Sequence, residues 1–256
     1  MTQQPGPFIW YELLTNDVEA AIAFYGKVVG WGTQDSGMPG MDHRMWLAGD
    51  VAIGGVMSNA PPVPQGTPPI WLGYAKVDDV DATLAAMTAA GGTVFMPSMD
   101  LAQVGRMALV SDPQGALIHV MTPESAAPSR AHAPGTPGHA GWHELHTTDG
   151  VAALAFYGTH LGWGKSDVLD MGPMGQYRMF NAGGEAIGGM MNSPAFPQPI
   201  WLYYFNVADI DAAKARLEEA GGTVLMGPHE VPGGQRVIQA KDPQGAIFAL
   251  ITLART

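Results

Sequence analysis

The chain carries one sequence pattern twice. Trp10-Tyr-Glu12-Leu-Leu-Thr15-Asn-Asp17, Ala23-Phe24-Tyr25-Gly26 and Gly30-Trp31 return as Trp142-His-Glu144-Leu-His-Thr147-Thr-Asp149, Ala155-Phe156-Tyr157-Gly158 and Gly162-Trp163. A chain of 256 residues can fold as one large domain or as two, and the repeat selects two of ordinary size. The offset between the halves is 132 residues at Trp10 and Trp142, 134 at Ile53 and Ile187, and 130 at Asp112 and Asp242. Such small drifts confine insertions to loops, so the halves are duplicated domains and not short solenoid units. Between them the stretch from Thr122 to Gly138 is rich in Pro, Gly, Ser and Ala, a composition that favours a linker. The expected division is a first domain over 1–122, a linker over 123–138 and a second domain over 139–256. His132 and His139 are then expected to be solvated.

Within each half, apolar periodicity switches between strand and helix. Phe8 to Leu14 alternates as a strand, and Asp17 is placed to cap a helix whose Val18, Ala21, Ile22 and Tyr25 recur at helical spacing. Ile70 to Val77 is again strand-like, and Asp79 caps a second helix that stops at Gly91-Gly92. Short apolar runs separated by Gly, Pro and Asp turns surround these helices, so each quarter reads as βαβββ. The segments Gly32 to Asp42 and Gly164 to Gln176 read as Gly- and Met-rich loops, suited either to a lid over a pocket or to packing at the surface.

Composition narrows the function. A net charge of -11 with scattered basic residues argues against nucleic-acid binding, which depends on Lys and Arg neutralising phosphates. No apolar run is long enough for a membrane helix and no secretory signal is visible at the N-terminus, so a cytoplasmic location is expected. With no cysteine, any metal would need His and carboxylate ligands.

The fourfold βαβββ rhythm, the Phe-Tyr to Gly-Trp ending of the first helix, Gly-Gly-Thr-Val after the second and Asp-Pro-Gln-Gly before the last strand together resemble the vicinal oxygen chelate superfamily. That group includes glyoxalase I, bleomycin-resistance proteins and extradiol dioxygenases. Ile-Gly-Gly and Pro-Ile-Trp-Leu in a double-domain layout are similar to the actinobacterial two-domain glyoxalase-like proteins. The resemblance implies an α+β fold of two tandem glyoxalase-like domains, each a pair of βαβββ modules forming a curved, cupped mixed sheet with helices outside. It places the family's four metal-ligand positions at Trp10, Gly54, Leu72 and His119 in one half, and at Trp142, Gly188, Leu202 and Ala249 in the other. Only His119 among these can bind a metal, and one ligand is not a site. No cofactor is therefore expected, with a divalent metal as the alternative.

Strand alternation puts Trp10 and Glu12 on one face, and Trp142, Glu144 and His146 on the matching face. A carboxylate beside an indole in an apolar pocket is a candidate general base or hydrogen-bonding anchor, which makes Glu12, Glu144 and His146 the catalytic candidates. A structural role, with nearby backbone groups or an Arg at the module interface as partner, is the competing explanation. Arg44, Arg178, Arg106 and Arg236 occupy paired positions and could clamp an anionic group or pair with a structural acid. Trp10, Trp142, Leu72, Leu202, Tyr74, Tyr204 and His119 complete the candidate ligand contacts, His119 being also a candidate hydrogen-bonded core residue. His43 falls either at a strand edge or in the preceding loop. The expected function is binding of a small apolar or aromatic molecule, by a monomer with two pseudo-symmetric domains or by a homodimer. The alternative is an enzyme, a glyoxalase-type lyase or isomerase or a cofactor-free oxygenase, with Glu12 or Glu144 as general base.

Overall fold

A computed structural model describes residues 4–38, 40–59 and 67–253. The first quarter runs β1 (Phe8–Thr15), α1 (Val18–Val28), β2 (Gly32–Asp35), β3 (His43–Ala48) and β4 (Val51–Ser58). The second runs β5 (Ile70–Lys76), α2 (Val80–Ala89), β6 (Thr93–Leu101), β7 (Gly105–Ser111) and β8 (Leu117–Pro123). The third runs β9 (Ala140–Thr147), α3 (Gly150–Leu161), β10 (Gly164–Asp170), β11 (Gln176–Asn181) and β12 (Ala186–Asn192). The fourth runs β13 (Ile200–Val207), α4 (Ile210–Glu219), β14 (Thr223–Glu230), β15 (Arg236–Lys241) and β16 (Ile247–Thr252). The βαβββ order thus recurs four times.

Two eight-stranded mixed sheets result, ordered β2-β3-β4-β1-β5-β8-β7-β6 and β10-β11-β12-β9-β13-β16-β15-β14. In each quarter the first and last strands pair in parallel, as Glu12 with Gly55 and Glu144 with Gly189, while the other neighbours run antiparallel. Each helix starts at an aspartate, Asp17, Asp79, Asp149 or Asp209, whose carboxylate accepts the backbone N–H three residues on at 3.0 Å. This satisfies one of the first-turn donors that a helix otherwise leaves bare.

Two segments differ from the sequence expectation. Gly32–Asp35 and the first part of Gly164 to Gln176 form β2 and β10 instead of loops. Both are sheet-edge strands, exposed over most of their length, so they carry no alternating apolar signal for the eye to find.

By compactness the chain divides into two units, Met1–Ile9 with Gly73–Pro128 and His143–Trp201, and Trp10–Leu72 with Ser129–Trp142 and Leu202–Thr256. In the second of these, the core is aromatic: Tyr25 stacks on Trp31 at 5.6 Å and meets Trp71 edge-on at 5.3 Å and Phe248 at 5.1 Å. The Trp71 indole donates to the Tyr25 hydroxyl at 2.9 Å, and that hydroxyl donates to Asp242 at 3.0 Å. Asp242 also accepts the backbone N–H groups of Gln244, Gly245 and Ala246. The Asp-Pro-Gln-Gly turn is therefore more than a turn, because its carboxylate ends a buried hydrogen-bond chain. Burial pushes the Asp242 carboxyl above the usual carboxylate range despite these donors.

The other unit repeats the device with Trp201, Tyr157 and Asp112, at 3.2 Å for both steps. Its core also stacks Phe8 on His143 at 4.2 Å and Trp163 on Phe180 at 4.6 Å. His132 and His139 are not solvated as expected. His139 is 3% exposed with Nδ1 at 2.7 Å from the Arg130 carbonyl, and burial lowers His132 to a pKa of about 4. The reason is Asn206, whose carboxamide donates to the carbonyls of Ala133 and Thr136 and so gives this Pro- and Gly-rich segment a place to dock.

Candidate functional site

Strand register assembles the site in the first quarter. Met45, Gly55 and Glu12 form one cross-strand row over β3, β4 and β1, and His43, Met57 and Leu14 form the next. Gly55 is what brings the two rows together. A Cβ there would lie 2.7 Å from both Glu12 oxygens and collide with the His43 ring, so only glycine leaves room for the pair. His43 Nε2 lies 3.2 Å from Glu12 Oε2, which also accepts the Trp10 indole N–H at 3.2 Å. Glu12 and His43 are 4% and 6% exposed, whereas Trp10, Leu14, Met45 and Met57 around them are half-buried. The face is thus a polar floor inside an apolar rim.

Electrostatics tie the floor together. Burial, the largest influence on His43, favours the neutral ring, but the hydrogen bond and charge of Glu12 and the charge of Asp35 outweigh it and hold the imidazole above its ordinary pKa. The side chain is poised to carry a proton next to a carboxylate.

The third quarter makes the same pair from different positions. Its rows are Met179, Gly189 and Glu144, then Tyr177, Met191 and His146. Tyr177 takes the place of His43 and lies over Gly189, where a Cβ would strike its ring. His146 takes the place of Leu14 and holds Glu144 at 2.6 Å, with Phe196 edge-on at 4.8 Å. Sequence alternation puts Glu144 and His146 on one face, and the structure brings them into contact. Sequence reasoning left His43 unplaced and overlooked Tyr177. Aligning the halves at the 134-residue offset would have set both opposite the Gly-Gly strand.

The arginines lie elsewhere. Arg106 binds Asp81 through two nitrogens at 2.9 and 3.0 Å and also Asp100 and Ser98, tying α2 and β6 to β7. Arg236 engages Asp211 of α4 in the same way. Arg44 pairs with Glu19 and Asp42, and Arg178 bonds to Gln176. Glu12 meets His43 and the Trp10 indole, and Glu144 meets His146.

His119 is 5% exposed, stacks on Tyr74 at 4.1 Å and holds the Ala108 carbonyl at 3.2 Å from Nδ1. Burial lowers its pKa to about 3, so it stays neutral. Tyr204 is matched with Gln239, whose amide donates to its hydroxyl at 2.9 Å, another polar residue unmarked in the sequence. Leu202, Tyr204, Ala249, Val237 and Ile251 form an apolar cluster against which Trp142 packs. Leu72 is buried.

These side chains do not fit the superfamily's metal. Trp10, Leu72, Leu202 and Ala249 offer no ligand atom, and among the described residues no group of three or more His, Asp or Glu could hold an ion. On β4 it is Gly55 that shares a face with Glu12, since a Cβ at Gly54 would point at the Tyr11 carbonyl and Trp46. An open depression lined by Ala208, Asp209, Gly234, Arg236 and Thr252 includes none of the carboxylate and histidine pairs.

Two mixed sheets of paired βαβββ modules define a class, and the chain matches its model. It belongs to the Glyoxalase/Bleomycin resistance protein/Dioxygenase superfamily, matched over residues 8–120 and 136–250. It is 36% identical over 245 residues to the Mycobacterium bovis protein CFP32, which carries a glyoxylase name, covering 94% of this chain and 93% of that one. It is 32% identical over 264 residues to the anthracycline biosynthesis protein DnrV of Streptomyces peucetius, covering 97% and 94%. Its fold is similar to the Mn(II)-bound glyoxalase from Novosphingobium aromaticivorans, with a TM-score of 0.69, 18% identity and coverage of 99% and 84%. No described helix is long and apolar enough to cross a membrane.

Proposed function

We propose that the protein binds a small apolar or aromatic molecule on the faces built around Glu12 and Glu144, without the superfamily's usual metal. One observation carries the reading: a buried carboxylate and imidazole sit at the centre of a rim of half-buried Trp, Leu and Met side chains. Small-molecule sites take affinity from apolar side chains and orientation from a few polar groups. A relative named for anthracycline biosynthesis supports an aromatic ligand. Mass spectrometry of molecules retained by the purified protein, followed by calorimetric titration with an aromatic series that includes an anthracycline, tests it. Saturable binding is the expected result, and absence of binding across the series overturns it.

A second reading rests on the 2.6 Å contact of Glu144 with His146. A carboxylate coupled to an imidazole can abstract a proton and pass it on, the requirement of a glyoxalase-type lyase or isomerase or of a cofactor-free oxygenase. In that case Glu144→Gln abolishes turnover while ligand affinity changes little.

A further inference from the structure

The Glu12 site has two polar atoms left over. Oε2 of Glu12 is occupied by the Trp10 and His43 nitrogens, but Oε1 is buried and has no hydrogen-bond partner among the described residues. Nδ1 of His43 is likewise buried and without one. A native interior rarely keeps such atoms bare, and here the two belong to side chains that meet over Gly55. A carboxylate oxygen can only accept, so whatever completes this site must bring a proton. A hydroxyl has one proton, which Oε1 takes, and its oxygen accepts from Nδ1 when the imidazole is charged, whereas an ether or a carbonyl has no proton for Oε1.

We infer that the Glu12 face selects a neutral hydroxylated aromatic, whose hydroxyl donates to Glu12 Oε1 while its ring lies among Trp10, Leu14, Met45 and Met57. The inference rests on the binding reading given above and adds the chemistry of the recognised group.

The test compares 2-naphthol with 2-methoxynaphthalene, which share the ring and differ in the proton. Titrations of the full chain are followed by calorimetry and by the NMR signal of the Trp10 indole N–H, which reports on Glu12 directly because it is bonded to it. Naphthol is expected to bind at least about tenfold tighter than its methyl ether and to move the Trp10 signal, since a site built to accept a proton is left unpaired by the analogue lacking one. In Glu12→Gln the amide carbonyl takes the position facing Trp10 and His43, which puts an NH2 where Oε1 was. The preference should then vanish or invert in favour of the ether. Equal affinities for the two probes in the unaltered protein overturn the inference and leave the binding reading standing. Failure of both probes to bind overturns the inference, and the binding reading falls with it only when the wider aromatic series fails as well. A naphthol preference that survives Glu12→Gln in a folded variant also overturns the assignment to Glu12.

Discussion

Glu144 and His146 meet at 2.6 Å on a single strand, whereas Glu12 reaches across to His43 on β3 at 3.2 Å. The two histidines stand at opposite ends of equivalent cross-strand rows, His43-Met57-Leu14 and Tyr177-Met191-His146. Two halves of one chain thus arrive at the same pair from different positions, which is hard to explain if the imidazole only fills space.

That relationship predicts an exchange. His43→Tyr alone should destabilise the protein by about 1–3 kcal/mol, because the Glu12 carboxylate loses a buried donor. Adding Leu14→His rebuilds the third-quarter arrangement in the first quarter and should recover most of the loss. Urea denaturation of the two variants checks this; a double variant no more stable than the single one shows that the rows are not interchangeable.

His43 and His119 give opposite pH dependences. His43 has its pKa raised in the folded state, so its stabilisation is complete below the unfolded value of 6.5 and is lost as pH rises through the folded value. The deficit of His43→Gln relative to the unaltered protein should therefore be largest in mild acid and shrink in alkali. His119 is lowered to about 3, so the unfolded chain takes up a proton that the folded chain refuses, and stability falls as pH drops from 6.5 towards 3. His119→Phe should cost about 1 kcal/mol at pH 7.5 through the lost bond to Ala108, yet gain relative to the unaltered protein below about pH 5. Thermal melts across pH 4 to 8 read both effects.

How much of this was legible in the sequence varied with the kind of force involved. The strand holding Trp10 and Glu12 and the aspartate caps at Asp17 and Asp79 were readable because alternation and capping are local. β2 and β10 were not, since edge strands with one open side need no apolar partner and show no pattern. The facing of Gly54 and Gly55 turned on a one-residue register that glycine, having no side chain, cannot betray. Asp112 and Asp242 looked like turn residues because their hydroxyl partners, Tyr157 and Tyr25, lie 45 and 217 residues away.

Those tyrosines carry the next prediction. Tyr25→Phe removes the donor to Asp242 Oδ2 and the acceptor of the Trp71 indole, so one buried oxygen and one buried N–H lose that partner. A loss of about 2–4 kcal/mol in unfolding free energy is expected, and Tyr157→Phe should match it through Asp112 and Trp201. Combining Tyr25→Phe with Asp242→Asn should cost less than the sum of the separate changes, because both break one chain.

The paired glycines separate folding from binding. A methyl at Gly54 would collide with the Tyr11 carbonyl, a backbone atom in the adjacent parallel strand, so Gly54→Ala must displace β1 from β4. The atoms nearest a methyl at Gly55 belong to the Glu12 and His43 side chains, which can swing away at the expense of their contact. Gly54→Ala should therefore lower the melting temperature severely. Gly55→Ala should stay folded, with a smaller loss of about 1–2 kcal/mol, but bind aromatic ligands at least about tenfold more weakly because Glu12 and His43 no longer hold their places. Circular dichroism melts and calorimetry on the two variants measure this, and a Gly55→Ala protein with undiminished affinity would remove the Glu12 and His43 pair from the binding site.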